Sequence, residues 1–121
     1  MSYPDLEVAL SSWLKSQDLA TDAGTVTPSV IPDGFVRVTK GGGTDDTITD
    51  SSIIDVDVFH SSRGNAFDMS EAIRDALTPR TRVGSAIIDR VRTGASPRQM
   101  PWDNTNIKRF SASYTISVRR D

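Results

Sequence analysis

The stretch Gly34–Phe59, GFVRVTKGGGTDDTITDSSIIDVDVF, holds two runs of strand character joined by a connector rich in glycine, threonine and aspartate. The first run, Phe35 to Lys40, follows the turn signal of Pro32, Asp33 and Gly34. It stops at Gly41, Gly42 and Gly43, which have little preference for strands. The second run, Ser52 to Phe59, alternates: Ile54, Val56 and Val58 share one face, while Ile53, Asp55, Asp57 and Phe59 share the other. Alternation of this kind predicts an antiparallel sheet with one face on a core and one face in water. Between the runs, Asp45, Asp46 and Asp50 predict a polar connector that reaches to Ser52.

Upstream, Pro4 suits the first turn of a helix, and Asp5 and Glu7 suit its positive end. Leu6, Ala9, Leu10, Trp13 and Leu14 recur at helical spacing through about Gln17. The run Ala20 to Pro32 contains Gly24 and Pro28 but also Val26, Val30 and Ile31, and reads as an extended, partly packed connector. Downstream, Asn65 is placed to cap a second helix whose buried stripe is Ala66, Met69, Ile73, Ala76 and Leu77. Pro79 ends that helix, because the residue before a proline avoids helical geometry.

A third strand is predicted over Val83 to Thr93, with mixed alternation. The last, Lys108 to Arg119, alternates cleanly: Phe110, Ala112, Tyr114, Ile116 and Val118 face one side, and Arg109, Ser111, Ser113, Thr115, Ser117 and Arg119 the other. At about 3.3 Å per residue it spans on the order of 40 Å. The segment GASPRQMPWDNTN before it is predicted to be a long hairpin loop, and loops of that length usually carry function. The whole chain, residues 1–121, is thus expected to be one α+β domain. Its predicted element order is α-β-β-α-β-β, with a four-stranded, mainly antiparallel sheet and both helices on one face.

At 121 residues the chain is long enough for one core. It has no cysteine, which removes disulfides, thiolate metal sites and thiol nucleophiles and suits synthesis in a reducing cytoplasm. The N-terminal MSYPDLEVAL lacks the pattern of a signal peptide, and no apolar run approaches a membrane span, so a soluble, uncleaved protein without membrane contact is expected. The net charge of -2 hides an asymmetry: residues 1–60 hold ten acids and three bases, and residues 61–121 hold eleven bases and six acids. Either acidic and basic strands lie side by side in one sheet, or the halves form opposite faces that attract neighbouring copies head to tail.

No catalytic constellation emerges. Asp55 and Asp57 share a strand face, as a carboxylate pair for a hard cation would, but no third ligand accompanies them, and His60 has the opposite parity. GGGTDD lacks the lysine and the helix of a phosphate loop, and its aspartates repel phosphate. No G-x-S-x-G elbow is present. No enzyme activity, metal or cofactor is therefore expected. The arginines of the second half, Arg90 and Arg92 among them, suit salt bridges or contact with nucleic acid. Met100 and Trp102 in the predicted loop suit a partner anchor, unless Trp102 folds back over its own sheet.

Three blocks, PDLEVALSSWL, the Gly34–Phe59 stretch, and IDRVRTGASPRQMPWDNTNIKRFSASYTISVRR, together resemble the tail terminator proteins of siphophages that infect actinobacteria. The resemblance runs from about Pro4 to Arg120. It implies a structural virion protein, assembled in the host cytoplasm, that forms a homohexameric ring at the head-proximal end of the tail tube. There it would stop tube polymerisation and join the tail to the head connector at the neck, while DNA passes through the lumen without specific binding. A head-tail connector or stopper (tail completion) protein is the alternative, followed by a small DNA-binding module. In the ring, Asp55 and Asp57 are expected to meet Arg90 and Arg92 of the next copy. Asp45, Asp46 and Asp50 are expected to line the lumen, and Met100 and Trp102 to dock on the tube or the connector.

Overall fold

The computed structural model describes residues 5–45, 49–79, 82–83 and 86–119. Helix α1 (Leu6–Ser16) is capped by Asp5, whose carboxylate accepts the Val8 N–H at 3.3 Å and satisfies one of the donors that a helix start leaves free. Leu6, Leu10, Trp13 and Leu14 are buried along one stripe, while Val8 on the far side is exposed. Asp18 takes a left-handed backbone (φ 56°) just past the C-cap, and the Leu19 N–H then returns to the Leu14 carbonyl at 3.0 Å.

The expected four-stranded sheet is corrected by the structure. Among the described residues the sheet is a mixed, curled one of six strands: β1 (Asp22–Gly24), β2 (Phe35–Asp45), β3 (Thr49–His60), β4 (Arg82–Val83), β5 (Ala86–Met100) and β6 (Lys108–Arg119). Their order across the sheet is β1-β2-β3-β6-β5-β4, with β1 parallel to β2 and every other neighbour antiparallel. The additional strands are two and three residues long, below the length at which alternation can be recognised in a sequence. Strand β1 lies within the segment expected to be a connector. It is set in place by Thr21, whose N–H donates to the Gly34 carbonyl at 3.0 Å, while Gly34 N–H donates to Phe59 at 2.8 Å.

Two boundaries also move. Gly41, Gly42 and Gly43 belong to β2, which continues to Asp45 past a register shift between Lys40 and Gly42. Most of the expected hairpin loop is likewise strand: β5 runs to Met100 through shifts on either side of Ala95. Such bulges insert unpaired residues without ending the ladder, and Pro97 is tolerated because, among the described residues, no strand pairs with the far side of β5 there. On the opposite margin β1 covers only Phe35 to Arg37 of β2. Beyond it the Lys40 N–H donates to the Glu7 carboxylate of α1 at 3.0 Å.

Helix α2 (Arg63–Leu77) starts two residues before the expected cap. Ser62 is the N-cap and accepts the Asn65 N–H at 3.3 Å, while the Ser62 N–H donates to His60 Nδ1 at 3.0 Å. The only histidine therefore shapes the turn between β3 and α2. Ala66, Ser70, Ile73 and Leu77 form the buried face of α2. The core joins both helices to one face of the sheet through Val36, Val38, Ile54, Val58, Tyr114 and Ile116. Each fully buried aliphatic side chain contributes about 1.5–3 kcal/mol relative to exposure.

Candidate interaction surface

The helix-free face of the sheet is where the sequence predicts solvent, and its residues fall into cross-strand rows. Phe35, Phe59, Arg109 and Met100 are successive partners across β2, β3, β6 and β5. Arg37, Asp57, Ser111 and Arg98 form the next row, followed by Thr39, Asp55, Ser113 and Ala95. Side chains in one such row share a face, which is how Asp57 and Ser111, 54 positions apart in sequence, meet.

The first row is not wet. Phe35 and Phe59 are both buried, with ring centroids 6.1 Å apart. Trp102, just beyond β5, folds back so that its ring meets Phe59 edge-on at 4.8 Å. Arg37 lies 5.5 Å from the Phe59 centroid and 5.7 Å from that of Trp102, and Arg109 lies 5.7 Å from Trp102 on its own account. Guanidinium planes at such distances are attracted by the negative faces of the rings. A second apolar cluster thus sits on the face opposite the core.

Its polar border is built around Asp57, which is only 3% exposed. One carboxylate oxygen accepts Arg37 Nη2 at 2.8 Å and Nε at 3.2 Å; the other accepts Arg109 Nε at 3.2 Å and the Ser111 hydroxyl. Arg37 Nη1 continues to Thr27 Oγ1 at 2.7 Å, tying the connector after β1 to the sheet. With Arg98 beside them, three arginines face the two carboxylates of Asp55 and Asp57, a formal surplus of one positive charge. These groups line a polar recess of about 240 Å³.

The sequence places Asp55 and Asp57 together, and they do share this face. Asp57, however, is engaged by Arg37, Arg109 and Ser111 of the same chain, and Asp55 accepts the Ser113 hydroxyl at 2.8 Å. Arg90 and Arg92 lie on the same face of β5, opposite Ser117 and Thr115, and are exposed. Asp45 and Asp50 pair at the far end of the β2–β3 hairpin, whereas Asp46 lies outside the described residues. Met100 and Trp102 come together on this face. Trp102 folds over its own sheet, the second of the two placements the sequence left open. Its other side walls a groove of about 480 Å³ with Pro28, Val30, Ile31 and Ile107. Val30 is 83% exposed there. Sequence reasoning missed Arg37 and Arg109 as a pair, although both share strand parity with their neighbours on this face.

Chemically, the face can grip through its arginines and carboxylates and stack through its rings. Among the described residues no three His, Asp or Glu side chains converge as a metal site would require. The Asp33 carboxylate is held below the usual range by the Ser61 hydroxyl and then the Ser61 N–H, both at 2.9 Å; its role is to pin the turn before β2 to the end of β3.

No protein-family model matches this chain, and no curated protein does. Among solved structures it is similar to a chain from the virion of a native gene transfer agent (GTA) particle. The TM-score is 0.62 at 16% identity, over 95% of each chain. At that identity the likeness establishes a shared fold over essentially the whole length.

Proposed function

We propose that this chain is a structural virion protein that forms a ring at the head-proximal end of a phage tail tube, ends tube polymerisation and joins the tail to the head connector. The observation that carries the reading is the fold shared over 95% of both chains with a component of a virion particle. The three sequence blocks that resemble siphophage tail terminators narrow it to the neck. A surface built from arginine-carboxylate rows and an apolar groove suits protein contact better than turnover of a small molecule. In this reading the chain has no catalytic role.

Within the ring, the hairpin end that carries Asp45, Asp46 and Asp50 faces the lumen, where negative charge keeps passing DNA off the wall. The groove beside Trp102 meets the tube or the connector through its remaining apolar surface, together with Met100, which shares a neighbouring recess with Trp102. Negative-stain imaging and native mass spectrometry of the purified chain test the ring, with a closed hexamer expected. Adding the chain to polymerising tube protein tests the terminator role. Tubes capped at one end and no longer growing are the expected result, and unaltered growth with binding to the head connector alone assigns the stopper role instead.

A further inference from the structure

Two sets of charged side chains point away from each other on opposite sides of the molecule, and neither finds a partner among the described residues. On the helix-free face, Arg90, Arg92 and Arg98 project from β5 beside Ser117, Thr115 and Ser111. On the opposite side, Asp68, Glu71 and Asp75 occupy α2 at spacings of three and four residues, one ridge turned away from the buried positions Ala66, Ser70, Ile73 and Leu77. Among the described residues none of the six makes an ion pair or a hydrogen bond through its side chain. The neighbouring arginines Arg37 and Arg109, in contrast, are both committed to Asp57.

We infer that the α2 ridge of one copy docks on the β5 arginines of the next. The inference rests on the ring reading above and specifies its subunit contact. Because the two sets face opposite ways, they cannot meet within one chain. A contact between unlike surfaces is heterologous, and repeated with a fixed rotation it closes a ring. The dimensions agree: Asp68 to Asp75 climbs about 10.5 Å along a helix, and Arg90 to Arg92 covers about 6.6 Å along a strand, so two acids reach two arginines without distortion. Arginine suits this role because its planar fork takes a carboxylate with two parallel hydrogen bonds. Asp55 and Asp57, the acids first paired with Arg90 and Arg92 from sequence, share a face with those arginines and are already hydrogen-bonded at home. The ridge on α2 supplies free carboxylates on the required side.

A charge swap tests the pairing. The wild-type chain, the variant R90E/R92E/R98E, the variant D68K/E71K/D75K and an equimolar mixture of the two variants are compared by sedimentation and native mass spectrometry, after circular dichroism confirms that each is folded. Wild type and mixture should assemble, and each variant alone should assemble roughly tenfold or more weakly. The mixture should contain only even-numbered rings, because the two variants must alternate. If a reversed variant does not fold, R90Q/R92Q/R98Q and D68N/E71Q/D75N take its place, with weakened assembly and a shallower salt dependence expected. Assembly of either variant as strong as wild type, or a mixture that stays apart, overturns the pairing and leaves the ring reading standing. A wild-type chain that is monomeric at all concentrations removes the ring and the pairing together. An arginine variant that assembles normally but loses retention on duplex DNA assigns this face to nucleic acid and also overturns the inference.

Discussion

Arg37 lies directly across the β2–β3 ladder from Asp57 and places Nε and Nη2 on one oxygen of its carboxylate, while Arg109 and Ser111 hold the other. The carboxylate is the hub: it is nearly inaccessible, and both guanidiniums keep part of their surface in water. Its removal leaves two cations facing each other across an empty centre.

Asp57→Ala should therefore destabilise the fold by about 3 kcal/mol, in the range for breaking a buried pair. Arg37→Met should cost less, since Arg109 still answers the charge and the aliphatic replacement keeps contact with Phe59. Urea unfolding of the two variants measures the difference, and equal losses would contradict the central place of the carboxylate.

Trp102→Ala uncovers Phe59 and removes an aromatic contact together with the ring that both arginines approach. A loss of about 2 kcal/mol is expected from the exposed apolar area and the lost edge-on contact. Trp102→Phe should retain most of it. Chemical denaturation reads both, and a neutral Trp102→Ala would mean that the loop contributes nothing to the fold.

Gly34 adopts φ +85°, and a methyl group there would lie 2.5 Å from Thr21 Oγ1. Gly34→Ala should cost at least about 1–2 kcal/mol from the backbone alone, with the clash added. Thr21→Ala in the same chain should recover the clash with the hydroxyl, but neither the 3.1 Å approach to the Thr21 Cβ nor the backbone cost. A double-mutant cycle separates the two.

Burial pushes the Tyr114 hydroxyl up to about 12, against the opposing pull of Arg74 on α2. The folded chain thus keeps this proton at pH values where the unfolded chain releases it. The stabilisation is complete below about pH 10 and is lost as pH rises towards 12, by at most about 1.4 kcal/mol per pH unit. Unfolding midpoints compared between about pH 9 and pH 11 should fall further for the wild-type chain than for Tyr114→Phe.

The parts of the fold that the sequence announces are those where one chemical pattern repeats over several turns or pleats. Leu6 to Leu14 and Phe110 to Val118 are such cases, and the latter matches β6 from end to end. Elsewhere distant residues decide. Gly42 and Gly43 have little strand preference and are strand because Ile53 and Ser52 of β3 pair with them, Gly41 being taken up by the bulge between Lys40 and Gly42. Asp57 sits at a position whose parity predicts water, and it is buried because Arg37, Arg109 and Ser111, all distant in sequence, close on its carboxylate. Arg90 and Arg92 are legible as charge, but the side they face follows from the bulges of β5, which alternation cannot register.

Glu7 answers the Lys40 N–H on the margin of β2 that β1 leaves uncovered. An extended segment approaching that margin meets an oxygen where it would need a donor, and it must dislodge α1 before it can add to the sheet. One short side chain thereby turns a potential fibre seam into a closed border. Strand addition at that position is thereby blocked, and contacts with other chains there fall to side chains, whose charge pairing ionic strength can loosen. The sheet therefore ends where a side-chain carboxylate, not a further strand, takes the last donor it meets.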